Sequence, residues 1–491
     1  MNGRQAGRDP TSAEAEGIKG PSGPGKRLKR GCESRDEKPQ HATNDGLFAA
    51  TAHGRGWGSG VYSAHVFFTA RVGGEITGWW GWGGGNRVAE EGGSGEWGPR
   101  GPRTEAESGE TAGAVFLALD PLQLSPIAFE KDFKVLSVPQ PTLQLLAQIP
   151  RDEKNTLKNA EIVYGGQIFG PESVLFDSQG RGPYTGVGDG RVVRWEGSEK
   201  GWVEFATVIA NRTEVCNPTT PLAANLKYEH LCGRPLGIRF NKDGDLYICD
   251  AYFGLLKVGA EGGLAEVLVS EAEGQKIIFA NDLDIDDDGT VYFTDSSSKY
   301  PRSKFFHSIL EAEETGRFLK YDPKTKETTV LVKKLRFPNG VTFSKDKSFI
   351  IIAETRLGRL LRYWVKGPKA GTVEDFVWLP GYPDNVRTNK DGDFWVALHC
   401  RRISFDRFMN SYPKVKQALL KLPISMKFLY GMFSGKPHAT ALKYSPEGKL
   451  LQVVEDLKGE TVRLISEVEE HDGKLWFGSV LLDHVAVISA P

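Results

Sequence analysis

The 491-residue chain balances 62 Lys and Arg against 63 Asp and Glu, for a formal net charge of −1. That balance argues against a surface built to neutralise nucleic-acid phosphates, so no nucleic-acid partner is expected. Plentiful glycine (58) and tryptophan (11) beside scarce methionine (4) suit short strands and tight turns better than helical bundles.

Residues 1–115 are rich in Gly, Arg, Glu and Ser, include Gly83-Gly84-Gly85, and hold few aliphatic residues in periodic order. Such a segment buries too little apolar surface to offset its ordering entropy, which predicts a disordered, low-complexity N-terminal segment. It holds no apolar run long enough for a membrane helix, and Met1 is followed by polar and charged residues instead of a signal-peptide core. The apolar pieces Ala112–Leu119 and Leu122–Phe129 are the place where a signal anchor would fit. Residues 116–149 read as a linker and packing segment.

From Glu172 onward one pattern recurs: an alternating strand, a turn of Asp, Asn or Lys with Gly, then a second strand ending near Asp or Glu. The six copies are Ser173–Gly180, Leu236–Asp250, Leu283–Asp295, Val341–Glu354, Val386–Ala397 and Val468–Gly478. Each reads as a hairpin whose turn residues supply the positive φ of a tight connection. After most of them comes another β-rich piece, as in Arg191–Trp195, Gly254–Val258, Gly316–Tyr321 and Arg359–Trp364. Two strands plus two more make a blade that must stack on neighbours to bury both faces. The prediction is all-β, a six-bladed β-propeller over 150–491, with a solenoid or a sandwich as the rival architectures. Ile403–Phe433 breaks the repeat with the helical-looking Val415–Leu422, so 403–436 is expected to be a small helical cap insertion over one mouth of the channel.

The five cysteines, at 32, 216, 232, 249 and 400, show no CxxC pair and no zinc-site spacing. Cys216 and Cys232 bracket a polar, Pro-containing loop. They fit either a disulfide formed in an oxidising compartment or two free thiols. Asn211-Arg212-Thr213 is a glycosylation sequon in the same stretch and agrees with a secretory route.

At the start of several repeats stands a polar residue that the hairpin does not require: Glu172 after Pro171, Asn281 before Asp282, Asn339 after Pro338, and Asp384-Asn385 after Pro383. Innermost strands begin near the propeller axis, so these side chains would converge. Carboxylate and amide oxygens are the donors that Ca²⁺ prefers. The competing interpretation is that they cap strand ends through Asx-turns. Asp284, Asp286, Asp288 and Gly289 imitate the opening of an EF-hand loop, but the twelfth position is Asp295 and both flanks are strand-like, so a hairpin turn is predicted there.

Four segments carry a family resemblance. They are Arg336-Phe-Pro-Asn-Gly-Val-Thr-Phe-Ser-Lys-Asp346, Ala353-Glu-Thr-Arg356, Leu361–Val373 and Leu379-Pro-Gly-Tyr-Pro-Asp-Asn-Val-Arg387. With Cys232–Phe240 and Glu470-His-Asp-Gly473, they resemble plant strictosidine synthase-like proteins over about 150–491. That family is similar to a wider group of six-bladed, often calcium-dependent hydrolases that includes paraoxonases and gluconolactonases. The resemblance implies metal ligands at Glu172, Asn281, Asn339, Asp384 and Asn385, a small-molecule substrate, and the endomembrane system or vacuole. Strictosidine synthase uses a last-blade glutamate shortly before the Glu-His-Asp-Gly stretch. An ungapped count puts Arg463 there, and Glu460 fits only with three inserted residues. A cation cannot take the amine proton. The catalytic His of paraoxonases would fall within Pro235-Leu236-Gly237, where none stands. His438 and His399 remain as candidate general bases. A calcium-assisted ester or lactone hydrolase is therefore the leading expectation. Its rivals are an amine–aldehyde condensing enzyme using Glu460 and a non-enzymatic binding propeller. The oligomeric state leaves no mark in the sequence.

Overall fold

The computed structural model describes residues 132–163, 165–217 and 222–491, together with Ser125, Ile127 and four short strands between 50 and 76. It divides into two compact units, Met1–Pro102 and Arg103–Pro491. In the first, Ala50–Ala52 pairs with Val66–Phe68 and Arg71–Val72 with Glu75–Ile76, both antiparallel. Apart from those strands, the expected disordered segment 1–115 lies outside the described residues.

The second unit is a six-bladed β-propeller made of six four-stranded sheets. The third blade shows how the sequence builds one. Ala280–Ile285 runs into a turn closed by Asp286 and Thr290, where Gly289 takes φ +91°, and returns as Val291–Asp295. Glycine relieves the Cβ clash of that left-handed backbone, so the Asp-rich run is a hairpin turn. Gly316–Asp322 and Glu327–Leu335 complete the sheet. Equivalent hairpins pair Pro235–Phe240 with Leu246–Asp250, Pro338–Phe343 with Phe349–Glu354, Gly381–Thr388 with Phe394–Arg401, and Glu467–His471 with Lys474–Gly478. In the first blade the inner segment forms a single β-bridge with its sheet, Leu175 to Tyr184, and Glu172 N–H adds a bond to the Gly186 carbonyl. Glu161–Val163, from the start of the folded chain, is the outer strand of the last blade beside Val485–Ser489.

One apolar cluster fills each junction between neighbouring blades. Leu283 and Phe293 pack with Cys249 and Leu255, Val341 and Ile352 with Phe318, and Val386 and Val396 with Ile351. Val174 and Val193 meet Val485 where the last blade closes on the first. No blade buries both faces alone, so the ring is the smallest unit that satisfies the pattern. Neighbouring first strands approach closely along the axis. A Cβ on Gly340 would sit 2.5 Å from Asn385 Cα, and one on Gly237 2.3 Å from Asp282 Oδ1.

Among the described residues six α-helices decorate the ring: α1 (Leu143–Ala147), α2 (Leu222–Cys232), α3 (Phe305–Glu311), α4 (Ser404–Ser411), α5 (Pro413–Leu420) and α6 (Met426–Ser434). Pro413 starts α5, and the Ser425 hydroxyl caps α6 by accepting from Phe428 N–H. Helices α3 to α6 share one apolar core through Phe306, Leu310, Met409, Leu420, Leu429 and Phe433. The chain before the propeller joins this cap: Val135 N–H donates to Gln417, Leu136 N–H to the Glu311 carbonyl, and Arg336 to the Ser137 carbonyl. Cys216 and Cys232 form a disulfide that ties the loop before α2 to its last residue. Among the described residues, no helix is long and apolar enough to cross a membrane.

Candidate metal centre

The five residues singled out at repeat starts all lie on or beside first strands, and all are buried. Glu172 opens the inner segment of the first blade. Asn281 and Asn339 are second in their strands, and Asp384-Asn385 are fourth and fifth in theirs. Hydrogen bonds fix how the amides face. Ser296 donates its hydroxyl proton to the Pro338 carbonyl at 2.7 Å, so it can only accept from Asn281 Nδ2, at 2.8 Å. Asn385 Nδ2 donates to Glu172 Oε1 at 2.9 Å and to Glu467 Oε2 at 3.3 Å. Both amide oxygens are thereby turned away from every donor. Asn281 Oδ1, Asn339 Oδ1 and Asn385 Oδ1 are buried and unpartnered. An orphaned buried acceptor costs about 1–3 kcal/mol, so these three amide oxygens, with the buried carboxylates of Glu172 and Asp384, are a candidate oxygen cage of the donor chemistry a hard cation takes.

Electrostatics point the same way. Burial pushes the Glu172 carboxyl up to about 7, and the nearby Asp384 and Asp282 charges add to the rise. Those are the conditions a bound cation relieves. Among the described residues, no three His, Cys, Asp and Glu side chains gather in metal-binding geometry. The donor set here is two carboxylates and three amides, and it fits Ca²⁺ better than a transition metal.

Beside this cage the axis already holds an internal cation. Arg387, 3% exposed, pairs with Asp282 at 2.5 Å and Glu467 at 2.7 Å, spanning three blades. Glu467 is raised to about 8 by burial, a rise that Arg387 and Arg239 oppose. The sequence reading missed this cluster, although a charged Arg387 three residues beyond Asp384 on a buried strand was a signal. Arg387 also borders a cavity of about 230 Å³ that is lined by Arg239, Asp284 and Glu469.

The three candidate catalytic residues fare differently. His399 stands beside the cage, with Nδ1 3.6 Å from Asp384 Oδ2 and Nε2 2.7 Å from the Tyr430 hydroxyl of α6. Burial raises the Tyr430 hydroxyl, which keeps its proton. His438 is committed elsewhere: Nδ1 lies 2.9 Å from the Lys436 carbonyl, and Nε2 accepts from Arg401 N–H at 3.0 Å. With both nitrogens held by backbone and burial pulling its pKa down, it staples the cap and has no lone pair to offer. Glu460 pairs with Lys158 at 2.8 Å and is 40% exposed, so it is a surface residue and not a channel carboxylate. Asn211 is exposed.

The fold is that of a six-bladed propeller with a helical insertion and with buried polar residues on or beside its first strands. The pattern described as strictosidine synthase matches residues 281–368, and that of the strictosidine synthase-like N-terminal region matches 153–195. The chain belongs to the strictosidine synthase-like family. It is 54% identical to protein STRICTOSIDINE SYNTHASE-LIKE 3 of Arabidopsis thaliana over 380 residues, covering 77% of this chain and 97% of that one. It is 50% identical to STRICTOSIDINE SYNTHASE-LIKE 10 of the same plant over 68% of this chain and 89% of that one. Among solved structures, a gluconolactonase from Xanthomonas campestris aligns with TM-score 0.45 at 15% identity, over 73% of this chain and 97% of that one.

Proposed function

We propose that the protein is a calcium-dependent hydrolase of small esters or lactones, acting in the endomembrane system or vacuole. The observation that carries the reading is the set of three buried amide oxygens without a donor, on Asn281, Asn339 and Asn385, together with the buried carboxylates of Glu172 and Asp384. In this reading Glu172, Asn281, Asn339, Asp384 and Asn385 hold the ion. When bound, Ca²⁺ would polarise the substrate carbonyl and favour negative charge on its oxygen. Glu172 and Asp384 supply the charge that retains it, and the Ser296 and Glu172 hydrogen bonds keep the Asn281 and Asn385 amides aimed. Arg387 pairs with both Asp282 and Glu467 and offsets one of their two negative charges, which limits the repulsion they add to Glu172 and Asp384. In the tautomer that carries its proton on Nε2, His399 would donate to Tyr430 and keep on Nδ1, 3.6 Å from Asp384, the lone pair that takes a proton from water. The Cys216–Cys232 disulfide and the exposed sequon at Asn211 support the oxidising compartment.

The test is hydrolysis of aryl esters and lactones by the full chain with and without chelator, alongside an incubation with tryptamine and secologanin. Hydrolysis that needs calcium and is lost in Asn281→Ala is expected. An amine–aldehyde product in its place, or no turnover of either kind, would overturn the reading, and the second outcome would favour a binding propeller.

A further inference from the structure

The cap has a charge that the rest of the chain lacks. Residues 403–436 hold six Lys and Arg against the single acid Asp406, in a chain whose formal net charge is −1. Asp406 is buried in a cluster with Tyr382 and Asn410, so it shields nothing outside. Lys414 and Lys427 are exposed and Lys421 half-buried, and none of them makes an ion pair among the described residues. Large apolar side chains project between them: Phe428 is 61% exposed, Tyr412 53% and Val415 46%. The same helices have already buried Leu419, Leu420, Leu429 and Phe433 in the cap core, so the outward ones are surplus to folding.

Exposed aromatic and aliphatic groups interleaved with unpaired lysines are the pattern of helices that lie in the headgroup region of a bilayer. We infer that the outer face of α5 and α6 docks on an anionic lipid surface, with Phe428, Val415 and Tyr412 entering the interface and Lys414, Lys421 and Lys427 meeting lipid phosphates. A lipid surface fits better than an acidic protein because the cations are long, flexible lysines. A protein partner read by bidentate contacts would call for arginine. Helix α6 also carries Tyr430, which bonds His399 beside the cage, so the docked face and the site share one helix. The inference does not depend on the proposed hydrolysis and survives its failure.

The experiment is co-sedimentation of the full chain with phosphatidylcholine vesicles, with and without phosphatidylserine, at low and high salt. Binding to the anionic vesicles only, weakened by salt, is expected. The triple variant Lys414→Glu/Lys421→Glu/Lys427→Glu should lower partitioning about a hundredfold or more. Phe428→Ser should lower it severalfold without changing the melting temperature, and it decides the matter if the triple variant folds poorly. Failure of the unaltered chain to bind, equal binding to neutral vesicles, or full binding by Phe428→Ser and the triple variant overturns the inference. The last of these would point to residues 1–124.

Discussion

Calcium and a proton should compete for Glu172, so lowering the pH from 8 to 6 should weaken calcium binding about tenfold. Burial and the charges of Asp384 and Asp282 hold this carboxyl at about 7 in the folded protein without the ion. Its charged fraction is then roughly nine-tenths at pH 8 and roughly one-tenth at pH 6, a change of about 1.4 kcal/mol in binding. The sign is fixed by linkage. A carboxyl raised from 4.5 to about 7 on folding contributes stability below 4.5 that is lost as pH rises through 7. The chelated protein should therefore lose melting temperature across that window, and added calcium should restore most at the alkaline end. Isothermal titration calorimetry at pH 6, 7 and 8, in buffers of different ionisation enthalpy, gives both the affinity and the protons released. Glu172→Gln should bind weakly and with little pH dependence. Unchanged affinity between pH 8 and 6 with no proton release would refute the reasoning.

Three further outcomes follow from the geometry. Arg387→Met leaves Asp282 and Glu467 buried without their cation and should cost about 3–5 kcal/mol in denaturant unfolding; a loss under about 1 kcal/mol would show that the pair is not desolvated as described. Gly340→Ala forces a Cβ to 2.5 Å from Asn385 Cα. It should lower calcium affinity at least about tenfold by displacing that amide, as changes to the groups that orient a metal's ligands do, and calorimetry reads it. Cys216→Ser opens a disulfide that links residues 16 apart, and should lower unfolding stability by about 3 kcal/mol with calcium affinity unchanged.

The blades were legible in the sequence because each is a local hairpin whose alternation and turn residues lie within about fifteen positions. Gly289 illustrates it: the turn needs a positive φ, and only the Gly in an Asp-rich run supplies it without strain. The acids that end the second strands were visible as punctuation, but their task was not. Asp250 accepts from the N–H groups of Arg234, Tyr252 and Phe253, and Asp295 from that of Phe279. Which polar residues start the first strands was also readable. The Arg387 cluster was not, because Asp282 lies 105 positions from it and the two meet only when the ring closes. His438 shows the opposite limit: its position at a strand start was plain, yet the side chain turns to the Lys436 carbonyl and Arg401 N–H. Nor does periodicity reveal that Val135 and Leu136 strap the cap to α3 and α5.

A crystal of the full chain grown with calcium tests the central claim most directly. The account predicts one strong density peak on the propeller axis, about 2.3–2.6 Å from oxygens of Glu172, Asn281, Asn339, Asp384 and Asn385. A calcium-soaked crystal with no peak there, and with the three amide oxygens turned onto protein donors, would contradict it.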